Sequence, residues 1–270
     1  MMYKLFGLQI DSDVELLAPI SDTGVADVVI KQSNQKLLGA FNLNIQNIAV
    51  FQIKAGKQIF YTPNHDDVVI ADLRLILMGS CMGAILQQRG LIVLHGNAVT
   101  WDNQTCNIYM GEKGAGKSTT AAWYYQQGAS IVADDICAIC LNSEGRPVVL
   151  PGIPQLKLWQ ASADLLNIST THLKRVRKQL DKFILPIAAQ RFANKPCEIK
   201  NIFEINQTIN QKQDILGLKK LLKLQHHTYR YHFLSQMNLE YIYIKQLMRF
   251  ANQVKCFEAP RIICEEVCLA

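Results

Sequence analysis

The stretch GEKGAGKSTT, Gly111 to Thr120, places a glycine, four variable positions, then glycine, lysine and serine in order. That pattern suits a phosphate: glycines let backbone N–H groups turn toward phosphate oxygens, and a helix opening at the lysine adds its positive end. The candidate nucleotide-binding residues are Gly111, Glu112, Lys113, Gly114, Ala115, Gly116, Lys117, Ser118 and Thr119. Lys117 is expected to reach the β- and γ-phosphates and Ser118 to hold magnesium, as this loop does in general.

Asp134 and Asp135 follow, the first 16 positions beyond Ser118, inside the apolar run IVADDICAI. A carboxylate pair in such surroundings needs a charge partner, and magnesium is the obvious one. Successive strand residues point to opposite faces, so the two divide the work unless the strand ends or bulges there. One coordinates the metal and the other takes the proton of an attacking hydroxyl. His95 opens HGNAV, 16 positions before Gly111. Beside a γ-phosphate it would carry a proton or stabilise charge; on its own it reads as a core histidine. His226, His227 and His232 lie in a run with helical character and read as packed or surface histidines rather than metal ligands.

The elements that must position these residues follow from periodicity. Residues 1–68 carry alternating runs such as VADVVI and AVFQIKAGKQIFYTP broken by turn residues, which predicts a small β-rich region. Residues 69–89 form an apolar helix closed by Gly90, and LIVLHGNAVTW and CNIYM read as strands leading to the loop. Ser118 to Gln127 supports a helix, Gly128 ends it, and SIVADDICAICL returns as a strand. After LPGIPQLKLW come two short helical stretches, a basic segment, the strands KFILPI and NIFEI, and a helical portion from about Ile215. The division is thus a β-rich region over 1–68 and a phosphate-loop domain over 69–270.

Composition bounds the partners. With 49% hydrophobic and 19% charged residues over 270 positions, the chain can bury a full core. The uncharged apolar run Leu75 to Gln88 falls short of the roughly 18 apolar residues that cross a bilayer, and the N-terminus lacks the pattern of a signal peptide. A cytoplasmic protein with no membrane partner is the expectation. The eight cysteines, Cys137, Cys140, Cys264 and Cys268 among them, are then expected to be reduced thiols. A net charge of +6 concentrates at Lys174, Arg175, Arg177 and Lys178 and at Lys219, Lys220 and Lys223, with no nucleic-acid motif beside either group. These read as solvated helix faces, or as a surface receiving an acidic or phosphorylated substrate.

HGNAV, GEKGAGKST and GASIVADDICAI, in this order and spacing, resemble the catalytic domain of HPr kinase/phosphorylase, whose fold relative is ATP-dependent phosphoenolpyruvate carboxykinase. The resemblance covers Leu91 to Trp159 well and the following part loosely. It implies an α/β fold with a P-loop core of that type, ATP and Mg2+ as cofactors, and frequent homo-oligomers. Carried over by position, it implies that His95 is the active-site histidine, Lys117 and Ser118 hold phosphate and metal, Asp134 is the general base and Asp135 the metal contact. The family's glutamate–arginine signature before a later glycine is replaced here by Leu150 and Pro151 before Gly152, so HPr itself and the reverse phosphorylase activity are not implied. PGIPQLKLW instead looks like smaller HPr-kinase-like proteins, some of which phosphorylate a serine on a peptide, lasso-peptide precursors included. Lys157, Arg177 and Lys182 are then candidates for contacting phosphate or an acidic group of a peptide or small-protein hydroxyl acceptor. A kinase of a small metabolite such as free serine, and a nucleotide-gated binding module that transfers nothing, are the alternatives.

Overall fold

The computed structural model describes residues 1–21 and 24–261 and is a mixed α/β protein. Cys264 and Cys268 lie outside the described residues. The chain divides into two compact units, Met1–Val93 with Arg230–Tyr243, and Leu94–Tyr229 with the chain from Ile244 onward.

The first unit is built on a six-stranded sheet of β1 (Met2–Leu5), β2 (Leu8–Ser12), β3 (Val28–Gln32), β4 (Phe41–Ile45), β5 (Ala49–Lys54) and β6 (Gln58–Pro63), in the order β1-β2-β3-β6-β5-β4. Alternation places Ile10, Val28, Ile30, Phe51, Ile53 and Ile59 in the interior. Two helices, α1 (Ile70–Ile76) and α2 (Met82–Gln88), join through a π-helical turn over Leu77–Cys81. Gln88 ties α2 to the sheet: its Oε1 accepts from Gly56 N at 2.7 Å and its Nε2 donates to Ile53 O at 3.3 Å. That bonding is why the compact unit extends past residue 68, where β patterning alone stops. The joined run Ile70–Gln88 has 19 residues and is long and apolar enough to cross a membrane by length and composition, with 67% of its apolar window buried inside the protein. The uncharged stretch understates it, because the helix begins before Asp72 and Arg74.

From β7 (Ile92–Leu94) the chain enters the second unit. Its sheet contains β8 (Gly96–Thr100), β9 (Thr105–Met110), β10 (Ser130–Ala133), β11 (Cys137–Leu141) and β12 (Pro147–Val149). The helix α3 (Lys117–Gln126) links β9 to β10. Next come β13 (Gln155–Trp159), α4 (Gln160–Leu165), β14 (Lys174–Arg175) and β15 (Lys182–Pro186), whose three strands form a separate small sheet in the order β13-β15-β14. The main sheet resumes with β16 (Cys197–Ile205) and β17 (Gln213–Ile215). Then α5 (Gly217–His226), α6 (His232–Gln236) and α7 (Glu240–Gln253) precede β18 (Cys256–Ala259). Sequence periodicity suggests only helix from Ile215 onward; β18 is too short and too mixed in character to stand out from it.

Within the main sheet β9 lies between β8, antiparallel to it, and β16, parallel to it, and β16 is flanked in turn by parallel β18. Ala121 and Ala122 of α3 pack with Val99, Tyr109 and Ile131 of this sheet and with Leu156 and Leu158 of β13. Small side chains on α3 let the helix, and hence the loop before it, settle close to the strands.

Two sequence expectations change here. SIVADDICAICL is two strands, because Asp135 takes a left-handed conformation with φ 73° and breaks the run at the acidic pair. The first basic group is largely exposed but lies on a strand and the turn after it, and the second, on helix α5, is paired although Lys219 stays more than half exposed. Lys174 and Arg175 form β14, while on α5 Lys219 pairs with Glu258, Lys223 with Glu204, and Lys220 donates to the carbonyls of Ala251 and Val254. Cys137 and Cys140 share β11, and burial raises both thiols above the ordinary range.

The glycine of HGNAV has a packing reason. A Cβ on Gly96 would sit 2.7 Å from Tyr109 O on the neighbouring strand, a backbone atom that cannot swing away. Gly96→Ala should therefore cost about 1–3 kcal/mol, the usual range for overpacking a tight site, read as a lower Tm in a thermal melt; an unchanged Tm would refute the close approach.

Candidate active site

The site grows from the end of β9. Gly111, Gly114 and Gly116 all adopt positive φ, so the chain turns tightly from Met110 into α3. The crest, Glu112 to Gly114, is exposed and Ser118 is half-buried. Lys117 is buried, and its Nζ donates to the carbonyls of Gly111 at 2.7 Å and Glu112 at 3.1 Å. Burial lowers its pKa, with Asp135 and Glu112 pulling the other way. Thr119 leaves the loop, its hydroxyl 2.9 Å from that of Ser162.

The acidic pair converges on one residue. Asp134 is 8% exposed; its Oδ1 accepts from Asn97 Nδ2 at 2.6 Å and its Oδ2 from Lys157 N at 2.9 Å. Asp135 Oδ2 lies 3.3 Å from Lys157 Nζ and its Oδ1 3.2 Å from His95 Nδ1. The left-handed turn at Asp135 cancels the strand alternation that would have sent the carboxylates apart. His95 Nδ1 also lies 3.0 Å from Asp135 O, so the Nδ1–H form satisfies both oxygens and leaves Nε2 as the acceptor. His95 itself is held by its N–H on His227 O at 2.7 Å, and Tyr229 stands 5.9 Å from its ring.

Charges here act on one another. Desolvation pushes Asp134 up to about 6, against the pull of Lys157. Asp135 is desolvated too, but Lys157 and His95 outweigh that and hold it below the usual carboxylate range. Lys157 shows the matching rise: burial lowers it, and the two aspartates more than compensate. Burial lowers His95, so the imidazole is neutral at pH 7. Asp134 and Asp135 act on Lys117, and Lys117 on His95, so the loop lysine, the histidine and the acidic pair share one electrostatic neighbourhood. Lys182, which stacks on Trp159 at 5.6 Å, acts on both aspartates. Arg177 is not among the main charges acting on the pair; it lies in the turn between β14 and β15, its carbonyl accepting from Leu180 N at 3.1 Å.

Sequence reasoning missed three participants. Asn97 anchors Asp134 and was visible as a polar residue in an apolar strand, directly after the histidine and glycine that drew notice. His226 Nε2 meets Glu112 Oε1 at 2.6 Å, pinning the loop crest to the end of α5, a contact no spacing rule anticipates. His227 is buried against Glu204 at 2.8 Å, and Lys223 shares that carboxylate at 2.9 Å.

A Cβ on Gly111 would lie 3.0 Å from Ile205 O and one on Gly116 3.0 Å from Arg261 Nε, so the loop backbone stays bare, and the Lys117 ammonium rests on loop carbonyls that the phosphate oxygens of a nucleotide would replace. Among the described residues no group of three or more His, Cys, Asp or Glu side chains could hold a metal alone. A magnesium ion would need a nucleotide's own oxygens to complete its shell, its common arrangement, with Ser118 of the loop as the residue to join them. Asp135 has both oxygens engaged by His95 and Lys157, whose ammonium disfavours a cation beside it.

No family model matches the chain, and no curated protein matches it. Among solved structures, one described as the Hpr(Ser) kinase/phosphatase from Coxiella burnetii is similar over 64% of this chain and 80% of that chain, with a TM-score of 0.35 and 9% sequence identity. At that TM-score the likeness is loose.

The buried aspartate yields a pH prediction. The folded-state pKa of Asp134, about 6, lies above the ordinary value of 3.8, so its stabilising contribution is fully present below about pH 4 and lost as pH rises through 6. By pH 7 the difference approaches about 3 kcal/mol. Asp134→Asn should accordingly gain in Tm relative to the unsubstituted chain between pH 5 and pH 7.5; parallel melting curves across that range would contradict the titration.

Proposed function

We propose that this chain is a Mg-ATP-dependent kinase of the HPr-kinase-like group, transferring the γ-phosphoryl to a hydroxyl, most favourably a serine of a peptide or small protein. The observation that carries the reading is the convergence of Asp134 and Asp135 on Lys157, with His95 on Asp135, in the electrostatic neighbourhood of a glycine-rich loop and its lysine. Lys117 and the α3 N-terminus would hold the phosphates of a nucleotide bound on the loop, and a metal ion bound with it would supply further neutralisation of their charge.

Titration and access favour different carboxylates for the proton acceptor. Asp134 has the higher pKa, but it is buried, at 8% exposed. Asp135 has a side chain 29% exposed. A proton acceptor must touch the hydroxyl, so access decides, and Asp135 is assigned that role. Phosphoryl transfer through a loose transition state places little demand on the base beyond positioning, which a strongly ionised carboxylate provides. His95 orients Asp135 through Nδ1, and Lys157 lends positive charge beside it for the phosphoryl in transit. Asp134 keeps Lys157 in register. Lys182, one strand away, is placed to meet an acidic or phosphorylated part of the acceptor.

The test is intact-mass spectrometry after incubation with Mg-ATP and serine, serine-ended peptides or HPr. One phosphoryl group should appear on one acceptor class, and Asp135→Asn should lower turnover by ~10²–10⁴-fold with ATP affinity retained. Turnover carried undiminished by Asp135→Asn but lost in Asp134→Asn would return the base to Asp134. ATP binding without transfer to any acceptor would favour the nucleotide-gated binding module.

A further inference from the structure

The phosphate loop carries a guanidinium that its motif does not explain. Arg261 follows β18, and β18 runs parallel to β16 from Ile202↔Cys256 to Ile205↔Ala259. β16 in turn runs parallel to β9 up to Glu204↔Met110, so the chain leaving β18 and the loop leaving β9 emerge at the same end of the sheet. There the Arg261 side chain lies on Gly116. A Cβ built on that glycine would meet Arg261 Nε at 3.0 Å and its Cδ and Cγ at 3.4 Å. Gly116 has φ 105°, a conformation that favours glycine where the arginine crosses.

Arg261 Nε is buried and has no hydrogen-bond partner among the described residues. The loop's own carboxylate, Glu112, is engaged by His226 instead. A buried guanidinium N–H without an acceptor is costly, and an arginine fork matches phosphate geometry better than any other side chain. The acceptor it lacks is supplied if phosphate oxygens occupy the loop.

We infer that Arg261 is a further nucleotide-binding residue, a second cation after Lys117 that contacts the terminal phosphates and so selects nucleotides by phosphate number. This rests on the reading of the loop as a nucleotide site. It assigns to the segment after the last strand a part in the site that the loop motif, complete in itself, gives no reason to expect.

Calorimetric titration of the whole chain with ATP, ADP and AMP tests it, comparing the unsubstituted protein with Arg261→Gln and Arg261→Lys. Glutamine keeps most of the aliphatic stem that packs on Gly116 but removes the charge. Arg261→Gln should weaken ATP binding about tenfold to hundredfold, the range for a hydrogen bond to a charged group, and leave AMP binding unchanged. Arg261→Lys should recover part of the loss. If Arg261→Gln binds ATP as well as the unsubstituted chain, or loses ATP and AMP equally, Arg261 only shapes the loop and the inference falls while the nucleotide reading stands. An unsubstituted chain that binds none of the three would remove both. Should the glutamine variant not fold, the lysine variant decides alone: undiminished preference for ATP over AMP would overturn the inference.

Discussion

Everything in the second unit's site turns on Lys157. Its backbone N–H holds Asp134 and its ammonium holds Asp135, so one residue of β13 fixes two carboxylates at the break between β10 and β11. The arrangement is self-consistent electrostatically, since desolvation alone would neutralise all three groups and their mutual attraction keeps Asp135 and Lys157 charged. Such a buried cluster adds little net stability, but removing one member strands the others in a poorly solvated place. The small sheet β13-β15-β14 thereby becomes a positioning device, and the close packing of Leu156 and Leu158 against α3 locks that device to the loop.

How much of this was legible in the sequence differs from residue to residue. The loop is a contiguous pattern whose physics is local, so Gly111 through Ser118 could be read directly. The acidic pair was legible as chemistry but not as geometry: alternation separates neighbouring carboxylates, and only the left-handed backbone at Asp135 reunites them. Asp and Asn enter that conformation more readily than most residues, but no local pattern announces when they do. Long-range partners were invisible in principle. Asn97 with Asp134, His226 with Glu112 and Lys223 with Glu204 join residues 37, 114 and 19 positions apart, and nothing in either local segment specifies the pairing.

The lysines of α5 show how a sequence-level charge cluster can mislead. Read alone, Lys219, Lys220 and Lys223 suggest an electropositive face. In the fold they are committed to Glu258, to two carbonyls at the end of α7 and to Glu204, so little free charge is left for a partner. Glu204 and Glu258 sit opposite one another on adjacent strands, where like charges would repel, and the two lysines offset that. The helix is basic because the strand ends beneath it are acidic.

The interleaving of the two units has a temporal side. Arg230–Tyr243 belongs to the first unit although it follows most of the second in sequence, and β18 completes the sheet of the second. A chain emerging from a ribosome therefore presents neither unit whole until residue 243 has been made, and the loop's sheet stays unfinished until β18 ends at Ala259, 16 residues later. Domains usually fold as units in the order of their synthesis. Here that order is suspended: both units must be closed by late-arriving segments, so the phosphate loop is made well before β16 and β18, which complete the sheet that holds it.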